Sequence, residues 1–237
     1  MFLSIIIPAY NEQERLKATL EKVSLYLDIK QYESEVIVVD DGSTDDTVKV
    51  ALSSKLNTSG RLTILQNEGN RGKGFSVRRA ILAARGDYIL FSDADLSTPT
   101  EEVEKLFKQI EAGADIAIGS RSIEGAQVQV HQPFYREWMG RLFNFFVQLF
   151  VLKGFIDTQC GFKLLRASPA KDIATFLKID GFSFDVELMY LATKKNYKIK
   201  ETPVIWINSP NSRVNPLIDS YKMLKDLLII KQLHRED

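Results

Sequence analysis

The chain has 237 residues, of which 45% are hydrophobic and 26% charged, and 31 basic residues balance 31 acidic ones. The apolar share supports a sizeable core, and a zero net charge excludes non-specific nucleic-acid binding driven by an overall positive field. The single cysteine, Cys160, excludes a disulfide within the chain and favours a reducing, cytoplasmic compartment.

Short apolar runs alternate with amphipathic segments in the first half. The runs cover residues 3–7, 36–39, 62–65, 88–91 and 116–118 and predict buried strands. Helical periodicity separates them, and in the helix around residues 103–110 Thr98 is expected as N-cap and Gly113 as the stop signal. This alternation predicts a Rossmann-like α/β fold, with a mainly parallel sheet flanked by helices on both faces.

The pattern changes after Arg121. Residues 122–133 have no clear period and predict a mobile loop, residues 134–153 predict a helix, and residues 216–233 form a second amphipathic segment. The longest uncharged stretch of this half, residues 142–152, is far shorter than the roughly 20 residues of a transmembrane helix. We therefore expect one domain, residues 1–237, with a nucleotide-facing half (1–121), an acceptor-facing half (122–237) and at most peripheral membrane contact.

The helix at residues 134–153 is unusually apolar, because its polar residues form one narrow stripe. Two interpretations are open. The first is burial of most of its residues against the sheet or a second subunit, which allows a homodimer. The second is a surface that meets a bilayer, with Phe143, Phe146 and Phe150 inserted.

Polar residues collect where the predicted strands end, at residues 8–12, 40–43 and 92–95. In open α/β sheets, ligands bind at the carboxyl ends of the strands. The chemistry of this chain is therefore expected on that edge.

Asp93 and Asp95 stand two residues apart after a strand, so an extended backbone would point both carboxylates the same way. Such a pair suits a hard divalent cation on a diphosphate. The alternative is a loop start in which one aspartate caps the next helix. A calcium loop of the EF-hand type is disfavoured, because Thr98 replaces its turn glycine and a strand precedes the motif.

Asp40 and Asp41 precede a helix start that would already be capped by the residues after them. Capping therefore does not explain them, and a carboxylate at this place can bind a base or a ribose.

The glycine-rich segment 69–74 fails the P-loop pattern, because Gly74 follows Lys73 where Ser or Thr would hold magnesium. A glycine-rich approach to a helix N-terminus with cations can still attract an anion, and a flexible turn with solvated charges is the alternative. Further cations follow in the second half, and their convergence would form an anion site: Arg121, Arg136, Lys163 and Arg213.

Together these segments resemble glycosyltransferase family 2, the inverting sugar-nucleotide transferases of the GT-A fold. The resemblance rests on residues 4–12, 38–43, 93–95 and 119–121, and residues 157–163 and 184–187 are similar to its polyprenyl-phosphate branch. Within that branch the glucosyl-transferring members look most similar, and mannosyl relatives come next.

The resemblance implies a role for each matched position. Nucleotide contacts are implied for Pro8, Tyr10, Glu12, Val39 and Asp41 or Asp40. Asp93 and Asp95 would hold Mg²⁺ or Mn²⁺, with Ala94 close by. Arg121, Arg136 and Arg213 would face the donor diphosphate or the acceptor phosphate. Further implied members of the site are Asp157, Lys163 and Asp185.

The implied reaction is inverting transfer of glucose from UDP-glucose to a dolichyl-type polyprenyl phosphate at the cytoplasmic face of a membrane. The chain would reach that membrane by peripheral contact or through a partner. A lipid phosphate, with a second pKa of about 6, needs cations rather than a general base. Three alternatives stay open: mannose transfer from GDP-mannose, transfer to a saccharide or protein hydroxyl, and a non-catalytic sugar-nucleotide sensor.

Overall fold

A computed structural model describes residues 1–30, 32–209 and 218–236. Its strands are β1 (Phe2–Ala9), β2 (Glu33–Asp40), β3 (Leu62–Gln66), β4 (Tyr88–Ser92), β5 (Ile116–Ser120), β6 (Gln127–Val130), β7 (Phe162–Arg166), β8 (Ile199–Pro203) and β9 (Ile205–Ile207). Its α-helices are α1 (Gln13–Lys30), α2 (Thr47–Leu52), α3 (Lys55–Thr58), α4 (Lys73–Ala83), α5 (Val103–Glu111), α6 (Phe134–Phe150), α7 (Ala167–Phe176), α8 (Phe184–Lys194) and α9 (Ile218–Leu233).

Seven strands form one sheet in the order β3-β2-β1-β4-β7-β5-β8. β7 runs antiparallel to both β4 and β5, and the remaining pairs are parallel. The predicted mainly parallel α/β architecture is confirmed. Because β7 comes from the second half and lies between two strands of the first, both halves contribute to one sheet.

Two apolar layers cover the faces of this sheet, and alternate residues of β1 divide between them. Ile6 belongs to the layer that contains the buried residues of α4, α7 and α8, whereas Ile5 and Ile7 belong to the layer of α1 and α5. Successive side chains of a strand point to opposite faces, so the unbroken apolar run of β1 reflects burial on both sides.

Three local predictions were wrong. β3 is an edge strand and only half-buried, because it has one neighbour in the sheet. The loop predicted at residues 122–133 contains β6, which pairs with β9. Thr98 is not the N-cap of α5: a 3₁₀ turn, Thr100–Glu102, follows Pro99 and precedes the helix, and Thr98 is buried beside Cys160. The stop at Gly113 is confirmed by its φ of 98° just after α5.

Of the two interpretations of α6, burial of most of its residues against the sheet is wrong, since only Phe143 and Val147 are buried along it, whereas burial against a second subunit stays a prediction. Phe143 and Val147 pack into the core beside buried residues of α9. Phe146 is half-buried and Phe150 is exposed, so the residues predicted to insert into a bilayer are not the most exposed ones. Among the described helices, none is long and apolar enough to cross a membrane.

Candidate active site

β1, β2 and β4 are adjacent and parallel, so the polar segments that follow them meet at one edge, as predicted. β4 ends at Ser92, and Asp93 begins a turn in which Leu96 donates a hydrogen bond to its carbonyl at 3.2 Å. Leu96 has a φ of 45°, which an L-residue with a bulky side chain rarely adopts. The extended backbone predicted through Asp93 and Asp95 is therefore wrong, because a tight turn carries both.

The two carboxylates nevertheless share an electrostatic environment. Burial and, next, the negative charge of Asp93 raise the pKa of Asp95 above its usual range. One oxygen of Asp95 accepts the Ser97 N–H at 3.0 Å. Asp93 packs directly on Gly161, where an added Cβ would lie 1.9 Å from its Oδ2. Glycine at position 161 is thus required by the position of the Asp93 carboxylate.

These two aspartates fit a divalent cation of the Mg²⁺ or Mn²⁺ type. Their carboxylate oxygens are hard donors, and the repulsion seen at Asp95 is what a bound cation would relieve. No group of three or more acidic, histidine or cysteine side chains suited to a metal occurs within residues 1–30, 32–209 and 218–236. Magnesium sites usually combine one or two carboxylates with substrate phosphates and waters, so two aspartates suffice for such a site.

Lys73 lies beside this carboxylate pair. As the first residue of α4 it places Nζ 2.7 Å from Oδ1 of Asp93. The same Nζ lies 5.2 Å from the centroid of the Phe91 ring and 5.8 Å from that of Phe184. The cation of the glycine-rich segment is thus directed at the candidate metal ligands and not solvated on a flexible turn.

A buried ion pair lies behind Lys73. Nζ of Lys163 is 2.5 Å from Oδ1 of Asp185 and donates to the Cys160 carbonyl at 2.7 Å. Both charged residues are buried, and the charge of Asp185 also acts to raise the pKa of Lys73. Burial raises the pKa of the Cys160 thiol to about 12, so this cysteine stays protonated and is no nucleophile at neutral pH.

Arg121 makes a two-pronged contact with Asp157 at the end of β5. Its Nε and Nη2 donate to the two carboxylate oxygens at 2.7 and 2.8 Å, and its backbone N–H donates at 3.0 Å. Burial alone would raise the pKa of Asp157, but Arg121 holds it below the usual range. Glu201 accepts the backbone N–H of Asp157 at 2.9 Å. A contact of Arg121 with phosphate stays a prediction, because the structure directs its Nε and one Nη2 donor at Asp157.

Asp41 ties the glycine-rich segment to the end of β2. Its carboxylate accepts hydrogen bonds from Asn67 Nδ2 at 2.7 Å, from the N–H of Arg71 at 2.9 Å and from the N–H of Gly72 at 2.8 Å. Asp40 accepts the Ser43 N–H at 3.3 Å, and both aspartates are buried. Asp41 therefore positions the loop that carries Lys73, and base recognition by either aspartate stays a prediction.

The residues predicted near the nucleotide differ in exposure. Tyr10 is exposed and Pro8 half-buried at the end of β1, whereas Val39 is fully buried in the core. Glu12 forms a paired contact with Arg15, at 2.5 and 2.6 Å. Ala94 is buried and its carbonyl accepts from Thr19 at 2.6 Å.

The structure brings together seven of the predicted residues by direct contact or by charge: Lys73, Asp93, Asp95, Lys163, Asp185, Arg121 through its charge interaction with Asp93, and Asp157 through its ion pair with Arg121. Arg136 lies half-buried in the first turn of α6, and within the described part of the chain it makes no hydrogen bond or ion pair with this cluster. Arg213 lies outside the described residues.

Sequence reasoning missed Gly161, Asn67 and Arg15 as parts of the site. Arg15 lies close enough to lower the pKa of Asp95 in opposition to burial and to Asp93. Gly161 stands inside the segment 157–163 that carries the resemblance, so only its role went unrecognised. Asn67 had no signal, because a lone asparagine after a strand is an ordinary turn residue.

The fold and the site agree with the comparison with known families. The model of glycosyl transferase family 2 matches residues 4–174, and the chain belongs to this family. The predicted family membership is confirmed.

Relatives of similar sequence make the class more specific. The chain is 38% identical to the dolichyl-phosphate β-glucosyltransferase of Dictyostelium discoideum, over 98% of this chain and 74% of that protein. It is 36% identical to the proteins of the same name from Saccharomyces cerevisiae, over 99% and 75%, and from Homo sapiens, over 97% and 74%. The prediction of a hexosyltransferase similar to these enzymes is confirmed.

Solved structures of lower identity share the fold. Glucosyl-3-phosphoglycerate synthase from Mycobacterium tuberculosis, in complex with Mn²⁺, UDP and phosphoglyceric acid, matches with a TM-score of 0.70 at 16% identity, over 98% of this chain and 78% of that one. Mannosyl-3-phosphoglycerate synthase from Rubrobacter xylanophilus matches with a TM-score of 0.69 at 18% identity, over 99% and 73%.

Proposed function

We propose that this enzyme transfers glucose from UDP-glucose to a dolichyl-type polyprenyl phosphate, with inversion, with the help of Mg²⁺ or Mn²⁺, and at a membrane surface. The names of its relatives support the sugar and the acceptor. The observation that carries the proposal is the pair Asp93 and Asp95 at the carboxyl edge of the sheet, with Lys73 beside it.

The site residues divide the work of such a transfer. Asp93 and Asp95 would hold the divalent cation, which when bound stabilises negative charge on the departing diphosphate. Lys73, 2.7 Å from Asp93, would contribute a second positive charge on the same side. Asp41 would keep the loop of Lys73 in place through the N–H groups of Arg71 and Gly72.

The acceptor side favours a phosphate over a hydroxyl nucleophile. A hydroxyl would need a general base within hydrogen-bond reach, whereas a phosphate is largely dianionic at neutral pH. Both histidines have other partners: His131 pairs with Glu137 at 2.9 Å on the surface, and His234 with Glu187 at 2.6 Å in the interior. A hydroxyl acceptor would therefore need a carboxylate as its base, whereas a phosphate acceptor needs none.

One face of α6 supports action at a membrane surface. Large apolar side chains recur on it every three or four residues, and we name them the α6 stripe: Phe134, Trp138, Leu142, Phe145 and Leu149. Phe134 is 79% exposed and Phe145 58% exposed. Contiguous exposed apolar surface of this kind marks a contact with a protein or a membrane.

The charges around the α6 stripe favour an anionic bilayer over a second copy of the chain. The described side chains of α6 and α9 carry a net positive charge, because the exposed Arg141, Lys222, Lys225 and Lys231 and the half-buried Arg136 outnumber the half-buried Glu137, Asp219 and Asp226. A bilayer with anionic lipids attracts such cations, by about 1 kcal/mol each near the surface. A second copy would instead bring like charges together. The enzyme would accordingly act as a peripheral protein on the cytoplasmic membrane face.

The transfer can be tested with labelled UDP-glucose, MnCl₂ and vesicles that contain dolichyl phosphate, with dolichol as the matched acceptor that lacks the phosphate. We expect label in the lipid only with dolichyl phosphate, in the β configuration, and none after EDTA treatment. Label from GDP-mannose instead would favour mannose transfer. Labelled soluble saccharide without labelled lipid would reject the phosphate acceptor, and binding without any turnover would leave a sensor.

A further inference from the structure

Lys73 stands where a divalent cation would have to compete with it. Its Nζ is 2.7 Å from one oxygen of Asp93, the first candidate metal ligand. Burial acts to lower the pKa of Lys73, but the negative charges of Asp93, Asp185 and Asp95 together raise it. The lysine is therefore a permanent positive charge within a group of three acidic residues, and it neutralises part of the charge that would attract a metal.

The backbone of Lys73 is fixed on both sides. The Gly72 N–H donates to Asp41 at 2.8 Å, and the Gly74 N–H donates to the Asp180 carbonyl at 2.7 Å. A Cβ at Gly72 would lie 2.3 Å from the Asp180 carbonyl oxygen, and at Gly74 2.3 Å from the Ile179 carbonyl oxygen. Only the four-carbon side chain of Lys73 is left to move, and its Nζ lies near the rings of Phe91 and Phe184.

We propose that Lys73 makes binding of the divalent cation depend on the nucleotide diphosphate. Without nucleotide, Nζ stays on Asp93 and repels the metal. When a diphosphate enters, Nζ exchanges the Asp93 oxygen for a phosphate oxygen, and the carboxylate becomes free for the metal. This inference rests on the metal and the diphosphate of the proposed function, and it adds that Lys73 couples the two.

The direction of the effect separates this role from a merely structural one. If the ion pair with Asp93 only holds α4 against β4, its loss loosens the site and weakens metal binding. If Lys73 competes with the metal, its loss strengthens metal binding in the absence of nucleotide. Coupling between two ligands is reciprocal and typically lies between about 5-fold and 150-fold.

The test is titration calorimetry of the full chain with MnCl₂, with and without saturating UDP. In the wild type we expect weak Mn²⁺ binding that UDP strengthens. In Lys73→Gln we expect Mn²⁺ alone to bind about tenfold more tightly, and the strengthening by UDP to fall to about twofold or less. Lys73→Arg keeps the charge and should retain the wild-type pattern.

Two controls complete the design. Lys49→Gln removes an exposed lysine on α2 that pairs with Asp46, and it should leave both affinities unchanged. Lys73→Met retains the apolar side chain between the two rings and serves if the Gln variant is unstable. Mn²⁺ binding to the Gln or the Met variant that equals or falls below that of the wild type without UDP would overturn the proposal.

Failure of the inference is distinguishable from failure of the proposed function. The calorimetric measurement contains no acceptor and no glucose. A chain that shows the coupling but transfers no glucose would refute the function alone, whereas a chain that transfers glucose without the coupling would refute the role of Lys73 alone.

Discussion

The edge that carries Asp93 and the face that carries the α6 stripe are built in opposite ways. At the edge, charged groups are half-buried or buried and each is held by named partners, as Asp41 is by three donors. On α6, large apolar groups are exposed and have no cover within the described chain. Both arrangements cost stability, since buried charge and exposed apolar surface are each unfavourable in water. Buried charged side chains and exposed apolar side chains therefore both mark candidate functional surfaces of this chain.

The largest effect is expected from Asp95. Asp95→Ala should abolish metal-dependent turnover, because it removes one of two candidate metal ligands, while the fold stays near that of the wild type. Residual turnover above about a tenth of wild type, measured with saturating MnCl₂, would contradict the role of Asp95; loss of one electrostatic stabiliser typically costs 10²–10³-fold. Glu111→Gln, at an exposed position at the end of α5, is the matched acidic control.

A second substitution, Asp95→Asn, tests the same carboxylate through its effect on the thermal stability of the chain. The pKa of Asp95 is raised in the folded state, so its ionised form costs stability at neutral pH, and that cost disappears as the pH falls below the ordinary carboxyl value. Without metal, the Asn variant should therefore melt at the same temperature as the wild type or a few degrees higher near pH 7, with no difference near pH 3. A clear fall in Tm at pH 7 would show that the carboxylate is needed for folding.

Gly161→Ala is expected to reduce turnover strongly, but less than Asp95→Ala does. The added methyl carbon would overlap Oδ2 of Asp93, so the carboxylate must move away from its position beside Lys73. We expect turnover to fall by about 10²-fold, since small displacements at a reacting site have effects of this size.

Gly140→Ala is the matched control, because a Cβ there meets nothing within 4 Å on α6. Alanine in an exposed helix position should stabilise the chain by about 0.5–1 kcal/mol. Turnover equal to wild type in Gly161→Ala would mean that Asp93 is free to shift and that its exact position is unimportant.

The smallest of these effects concerns the apolar face. Phe145→Glu combined with Leu149→Glu should reduce binding to vesicles with anionic lipid by about tenfold or more. Full burial of each apolar side chain in the bilayer would contribute about 1.5–3 kcal/mol, and the substitutions remove that contribution. Affinity for UDP with Mn²⁺ should not change. Cosedimentation measures the first quantity and calorimetry the second.

Leu52→Glu is the control for that pair, as Leu52 is a half-exposed leucine at the end of α2, away from α6. Equal vesicle binding by the double variant and the wild type would remove the membrane from the proposal. A change of oligomeric state in the double variant, without a change in vesicle binding, would assign the α6 stripe to a second copy of the chain.

The sequence was most informative where one physical rule dominates. Unbroken apolar runs predicted the parallel strands of the first half, because strands buried on both faces leave no other pattern. It failed at β6 and β9, which are short, partly polar and paired across long stretches of chain. It failed along α6, because an apolar helix has the same composition whether it faces a core, a membrane or another chain.

By itself, the sequence determined the family and the edge of the sheet where the polar segments meet, and it predicted Asp93 and Asp95 as the centre of the site. Those features depend on residues that are neighbours in the sequence, such as the acidic turn residues that directly follow a strand. Only the tertiary structure decided that Lys73 meets Asp93, that Gly161 makes room for it, and that β7 from the second half lies between β4 and β5. Contacts between residues far apart in sequence depend on how the layers pack, and no local pattern encodes that packing.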